Sequence, residues 1–186
     1  MGWATVSALD EVTGPTGTLG RETTAEVVLV PRLRTALERL NPTVPLEALA
    51  IAIESLTRNR STMSPVAANR EVYDQLKKGI EVSVPDREHG GQKTERLRII
   101  DWLNPTDNDF LLVSQITITG ALYTCRPNLV GFVNGLPLVV VELKKPGIPA
   151  KQAFDDNLTS YKHPQNGIPD LFWFNALLIA SNGIES

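Results

Sequence analysis

Apolar residues recur at three- and four-residue intervals in the first half of the chain, after a polar and irregular start. This spacing places the apolar side chains on one face of a helix. A first helix is predicted after Pro31, a second from Pro45, and a third from Ser64 to a stop at Gly79. The pattern therefore predicts a group of amphipathic helices within about residues 22–79.

After this region, the apolar pattern changes to alternation or to short continuous runs, which are typical of strands. The sequence Asn134-Gly135 between two such runs is a strong β-hairpin signal. A polar-faced helix is predicted at about 151–162. The predicted strands lie at about 80–84, 94–101, 110–119, 128–133, 138–144 and 175–181. We expect an α/β fold, in which N-terminal helices precede a mixed, largely antiparallel β-sheet flanked by helices.

The length of 186 residues suits one domain with a sizeable core. Residues 1–21 are rich in Gly, Thr and Ser without periodicity, so we expect a flexible N-terminal arm there. The domain itself is predicted at 22–186, with a helical lobe at about 22–79 and a sheet-containing core at about 80–186.

The composition limits which partners the chain is expected to bind and in which compartment it is expected to lie. The net charge is -3, so the chain is not expected to bind nucleic acid by charge alone. The single cysteine, Cys125, excludes an intramolecular disulfide and a cysteine-based metal cluster. The sequence shows neither a secretory signal nor an apolar run of about 20 residues, which predicts a cytoplasmic protein without a membrane partner. It also contains no P-loop motif for ATP.

The most informative segment is the apolar run 138–144, which ends in Glu142 and Lys144. These two residues lie two apart on a strand, so they project from the same face. A buried carboxylate needs compensation, which a divalent cation would supply, and Lys144 could stabilise negative charge on a phosphate. The alternative is that the strand emerges into water and the two residues form a surface ion pair.

A metal site on this strand needs a second ligand from the neighbouring strand, and position 128 is the natural supplier. A plain two-residue loop at Asn134-Gly135 would pair Asn128 with Val141, on the face opposite Glu142. A three-residue loop, or a β-bulge, would bring Asn128 to the face of Glu142. The metal-site hypothesis therefore excludes a two-residue hairpin without a bulge.

Three segments together resemble one known family. They are 126–130 (RPNLV), 134–144 (NGLPLVVVELK), and 168–183, which begins IPDLF and ends IASNG. They are similar to the N-terminal nuclease domain of the restriction (R) subunit of type I restriction-modification enzymes, a member of the PD-(D/E)-x-K nuclease superfamily. The resemblance covers the chain from about Glu22 to its end.

The resemblance implies an endonuclease that hydrolyses double-stranded DNA with Mg²⁺, or with Mn²⁺ in its place, and without sequence choice of its own. It implies that Glu142, the residue at position 128 and the Leu143 carbonyl bind the metal. Lys144 would orient the attacking water or the scissile phosphate. Lys145, Asn157 and Tyr161 would support the site or contact DNA.

Two positions depart from the family pattern. Asn128 stands where the family has Asp, which removes one negative charge from the metal site, and we expect impaired activity. Asn157 stands where the family has Gln, four residues before Tyr161 as the pattern requires. Tyr161 could equally be packing in its helix. Glu26 is a candidate extra acid, although the spacing of Thr23 and Glu26 also fits a helix capping box.

The resemblance also implies partners in bacteria or archaea. These are the methyltransferase and specificity subunits, and C-terminal helicase-type domains of the same subunit, which would use ATP to translocate DNA. The chain accordingly resembles an N-terminal piece of a longer protein. Two functional hypotheses stay open: a nuclease impaired at Asn128, and a catalytically inactive nuclease-fold module that docks DNA or other subunits.

Overall fold

The computed structural model describes residues 2–86 and 89–184. Three helices follow the N-terminal segment, as the apolar periodicity predicts. They are α1 (Val30–Leu40), α2 (Leu46–Thr57) and α3 (Pro65–Lys78). The Ser64 hydroxyl accepts a hydrogen bond from the Ala67 N–H and caps α3. The capping box at Thr23 is wrong, because no helix begins there; the Glu26 carboxylate instead accepts a hydrogen bond from the Glu22 N–H.

Five of the nine strands among the described residues form the main sheet. The strands are β1 (Ala4–Ser7), β2 (Ile80–Pro85), β3 (Gln92–Leu97), β4 (Phe110–Ser114), β5 (Ile118–Thr119), β6 (Thr124–Cys125), β7 (Leu129–Val133), β8 (Leu136–Leu143) and β9 (Leu177–Ser181). The main sheet has the order β1-β4-β7-β8-β9, and β2–β3 and β5–β6 are separate hairpins. The two edge strands are parallel to their neighbours and the inner pairs are antiparallel. The α/β class with a mixed sheet is confirmed.

The N-terminal segment is not the flexible arm that its composition predicts. Strand β1 pairs in parallel with β4 at one edge of the main sheet. Ala8 and Leu19 are buried in the core, and Arg21 is 0% exposed and bound to Glu11. The prediction failed because a four-residue strand is too short to show a period, and its partner is distant in sequence. The division of the chain into a helical lobe and a core stays a prediction.

The hairpin between β7 and β8 combines a two-residue turn with a β-bulge. Asn134 and Gly135 both have positive φ, at 50° and 79°, as this tight turn requires. Val133 pairs with Leu136, but the register shifts further along, and Leu138 is left without a partner residue on β7. The bulge is one of the two alternatives that the metal-site hypothesis allows.

The predicted strand 110–119 is broken, because the backbone turns at Gln115, which has a φ of 57°. The chain then continues into the β5–β6 hairpin. The predicted helix at 151–162 is present as α4, which combines turns of α-helix (Ala150–Gln152 and Thr159–Tyr161) with a π-helical segment between them (Ala153–Leu158). A short helix, α5 (Pro169–Phe172), precedes β9. Among the described residues, no helix has the length and apolar character needed to cross a membrane.

Candidate active site

The end of β8 and the start of β7 bring Glu142 and Asn128 together. Because of the bulge, Leu129 on β7 pairs with Val141 on β8. Asn128 precedes Leu129 and Glu142 follows Val141, so these two residues lie opposite each other. The Asn128 N–H donates to the Glu142 carboxylate at 3.1 Å, and the Leu143 N–H donates to the Asn128 side-chain oxygen at 2.8 Å. Each side chain thus binds the backbone of the opposite strand, which fixes both at one edge of the sheet.

Helix α4 supplies the other wall of the site. The Lys144 ammonium donates to the Asn157 side-chain oxygen at 2.8 Å, and the Asn157 amide nitrogen lies 3.4 Å from the Tyr161 hydroxyl. The Tyr161 hydroxyl also acts to lower the pKa of the Glu142 carboxyl group, which places it within electrostatic reach of that group. These contacts form a polar network around the end of β8, so the structure brings together Glu142, Lys144, Asn157 and Tyr161.

The π-helical segment includes Asn157. A π-helical turn is wider than an α-helical one, and such turns are frequent at functional sites. Although Asn is one methylene shorter than the Gln of the family pattern, Asn157 still reaches Lys144 from this segment. Asp156, in the same turn, lies 4.0 Å from the Lys144 ammonium.

Burial dominates the electrostatics of the site. Glu142 is 2% exposed, and desolvation raises the pKa of its carboxyl group. Hydrogen bonds from Asn128 and Tyr161, and then the charge of Lys144, act in the opposite direction. Burial also raises the pKa of Tyr161, to about 12, so its phenol stays protonated at neutral pH.

Two residues near the site were missed by the sequence analysis as site residues. Burial, and then the charge of Glu142, raise the pKa of the Cys125 thiol, which places this thiol within the electrostatic reach of the carboxylate. The Gln115 N–H donates to the Asn128 carbonyl at 3.0 Å from a left-handed backbone conformation, which is uncommon for a residue other than glycine. The available signals were the proximity of Cys125 to Asn128 in the sequence and the fit of Gln115 to the pattern of the family that the chain resembles.

The remaining predicted site residues do not join this network through their side chains. Leu143 donates its N–H to Asn128, but its side chain is 45% exposed at the end of β8, and Lys145, two residues later, is also exposed. Glu26 lines a cavity of about 310 Å³ together with Asp170 and residues of the 25–30 segment, and the residues around Glu142 do not line that cavity. Among the residues that the structure describes, no hydrogen bond or ion pair joins Glu26 to Glu142, Asn128 or Lys144.

The donor set at the end of β8 is compatible with one kind of metal. It consists of oxygen atoms alone: the Glu142 carboxylate, the Asn128 amide oxygen and the Leu143 carbonyl. Within residues 2–86 and 89–184, no three His, Cys, Asp or Glu side chains converge in a way that could hold a metal ion. A closed zinc site would need such a group. Mg²⁺ accepts one or two carboxylates and keeps several waters, so these residues fit it.

Comparisons with a family model and with known proteins point to the same family. A family model described as "Type I restriction enzyme R protein N terminus" matches residues 1–186. The type I restriction enzyme HindI endonuclease subunit of Haemophilus influenzae is 36% identical over 172 residues, which are 90% of this chain and 16% of that protein. The type I restriction enzyme EcoprrI endonuclease subunit of Escherichia coli is 25% identical over 158 residues, which are 85% of this chain and 48% of that protein.

The chain thus spans well under two thirds of the length of either relative. The family match covers every residue, and the fold agrees with the α/β architecture expected of a restriction endonuclease. The chain belongs to the family of N-terminal domains of type I restriction enzyme R proteins.

Proposed function

We propose that this chain is a Mg²⁺-dependent nuclease domain that hydrolyses phosphodiester bonds of double-stranded DNA. In the whole enzyme, cleavage would be non-specific and would follow ATP-driven translocation by further domains of the subunit. Methyltransferase and specificity subunits would choose the DNA. The observation that carries the proposal is the buried Glu142 held beside Asn128, with Lys144 on the same strand end.

The chemistry follows from what these side chains offer a phosphodiester. In hydrolysis, a water oxygen forms a new bond to phosphorus and gives up a proton, while the bond to the leaving sugar oxygen breaks and that oxygen gains a proton. Negative charge builds up on the phosphate in between. Lys144 is held by Asn157 in a fixed position, so it can stabilise this charge without first being ordered. Glu142 accepts the Asn128 N–H, which fixes the carboxylate at the strand end that leads into Lys144.

The metal would be held by Glu142, the Asn128 amide oxygen and the Leu143 carbonyl. When bound, Mg²⁺ supplies positive charge to the phosphate oxygens and lowers the pKa of a coordinated water. Because Asn128 is uncharged, the site has one negative charge fewer than the family pattern provides. We therefore expect weak metal binding and slow cleavage.

Cleavage of supercoiled plasmid DNA tests the proposal. The chain and its Asn128→Asp variant are incubated with plasmid and Mg²⁺ or Mn²⁺, and nicked and linear products are measured over time. We expect slow nicking by the chain, faster nicking by Asn128→Asp, and none after Glu142→Ala in either background. Nicking that persists in Glu142→Ala would refute the proposal. The absence of nicking by Asn128→Asp within the whole enzyme would also refute it.

One observation favours a second function, a nuclease-fold module that docks DNA or other subunits without cutting. The Asn128 oxygen already accepts the Leu143 N–H, and this contact stabilises the strand ends without a metal. This alternative predicts that titration with Mn²⁺ gives no heat of binding that depends on Glu142. The nuclease proposal predicts heat that disappears in Glu142→Ala.

A further inference from the structure

The β5–β6 hairpin presents two large apolar side chains to solvent close to the candidate active site. Leu122 and Tyr123 lie at its turn and are 68% and 59% exposed. The turn is closed by a hydrogen bond from the Gly120 N–H to the Tyr123 carbonyl at 2.8 Å. Adjacent exposed apolar side chains contribute little to the fold, and such patches often mark sites of interaction.

The base of this hairpin is fixed to the rest of the molecule. The Thr119 N–H donates to the Thr24 carbonyl at 3.0 Å, and the hydroxyls of the same two residues are 2.8 Å apart. Ile118 is buried in the core at 2% exposure. Gly120 lies so close to Gly167 that a Cβ at position 120 would be 2.1 Å from its carbonyl oxygen. The tip is therefore held in place before any partner binds, which lowers the entropic cost of binding.

The hairpin leads directly into the site. Strand β6 ends at Cys125, and the chain reaches Asn128 a few residues later. A fully extended chain spans at most about 3.6 Å per residue, so Tyr123 lies within about 18 Å of Asn128. Base pairs are about 3.4 Å apart along a duplex. A phosphate at Glu142 and Lys144 would thus lie within roughly five base pairs of the hairpin tip.

The charge of this region suits a polyanion, although the net charge of the chain is -3. Between Asp109 and Glu142, the only charged residue in the sequence is Arg126, which is exposed at the base of the hairpin. The hairpin thus offers DNA an apolar tip and a cation, with no acidic residue in its own sequence. Proteins that bind the minor groove commonly insert apolar side chains between base pairs.

We propose that Leu122 and Tyr123 form an apolar wedge that enters the minor groove of duplex DNA beside the scissile phosphate. This inference rests on the proposed nuclease function, because the partner of the wedge is DNA. It recognises DNA by shape and stacking, which requires no particular base sequence. It would hold the duplex against the active site and compensate for the acidic charge of the domain.

The test compares two double variants that remove matched pairs of exposed side chains. The tip variant is Leu122→Ser/Tyr123→Ser, and the control is Leu103→Ser/Tyr73→Ser, whose residues are 86% and 54% exposed and lie outside the hairpin. Binding of a fluorescein-labelled 25-base-pair duplex is measured by anisotropy with Ca²⁺ in place of Mg²⁺. A second duplex carries 2-aminopurine, whose fluorescence rises when bases unstack.

We expect the tip variant to bind about tenfold more weakly, because one or two apolar contacts to bases are lost. At saturating protein, the parent chain and the control increase 2-aminopurine fluorescence, and the tip variant does not. Equal affinity for the duplex and equal 2-aminopurine fluorescence in all three proteins would overturn the wedge proposal. Absence of duplex binding by the parent would also overturn it, whereas plasmid nicking by Asn128→Asp would still support the nuclease proposal.

Discussion

Replacing Asn128 by Asp adds a carboxylate next to Glu142 and should strengthen metal binding. At about 4 Å and an effective dielectric constant of about 20, two unit charges interact by about 4 kcal/mol. The attraction of the new carboxylate to a divalent ion is then about 8 kcal/mol. Its repulsion by Glu142, about 4 kcal/mol, favours a shared proton in the metal-free site, and the metal must displace this proton. The net gain is about 4 kcal/mol before the new charge is desolvated.

Desolvation of the new carboxylate reduces this gain, although the Leu143 N–H remains a donor to position 128. If about half is lost, roughly 2 kcal/mol remains, which corresponds to about thirtyfold in affinity. Isothermal titration of the chain and of Asn128→Asp with Mn²⁺ measures this difference directly. The matched control is Asn104→Asp, which adds the same charge at an exposed position in the loop before β4.

The reasoning is refuted if Asn128→Asp binds Mn²⁺ within threefold of the parent chain. It is also refuted if Asn104→Asp strengthens binding by the same factor, since the gain would then come from net charge. Removal of Glu142 in the Asn128→Asp background should weaken binding to about the level of the parent chain, because each of these two sites then has one carboxylate.

Three further variants test the electrostatics and the packing. Glu142→Gln should stabilise the fold by about 1 kcal/mol at pH 8. Burial raises the pKa of the Glu142 carboxyl group, so the parent chain loses stability as pH rises through the folded-state pKa of this group. Thermal unfolding should therefore show that the advantage of the Gln variant over the parent chain fades towards pH 4. Arg21→Met should cost about 3–5 kcal/mol in urea unfolding, because it leaves Glu11 buried without its partner; a cost below 1 kcal/mol would contradict this. Gly135→Ala should destabilise more than Gly147→Ala: both have positive φ, but only at Gly135 would the Cβ collide, at 2.6 Å from a backbone oxygen.

The sequence predicted those features that rest on local pattern. Helices α1 to α3 have one buried face each, and the Asn134-Gly135 turn has the left-handed backbone that this residue pair favours. Strand β1 could not be predicted, because its place depends on pairing with Leu111–Ser114 across most of the chain. The π-helical segment likewise has no local sequence signal.

For the candidate site too, features with a local sequence pattern could be predicted and features that depend on long-range pairing could not. Glu142 and Lys144 were evident, because charges that end a buried strand are unusual. The position of Asn128 beside Glu142 was left open, since it required either a longer loop or a bulge. Cys125 was missed, because its approach to Glu142 depends on how the β5–β6 hairpin, in which Cys125 pairs with Ile118, is placed in the fold.

The bulge at Leu138 bears on how this family can vary. Cross-strand pairing, and not the number of intervening residues, sets which side chains meet at the strand ends. A relative that lacks the residue equivalent to Leu138 and keeps a plain two-residue turn would pair the same two positions, one residue closer in sequence. A single insertion elsewhere in either strand would separate them. Comparisons that demand a constant spacing between the two motif residues would therefore reject true members and accept chains whose geometry is wrong.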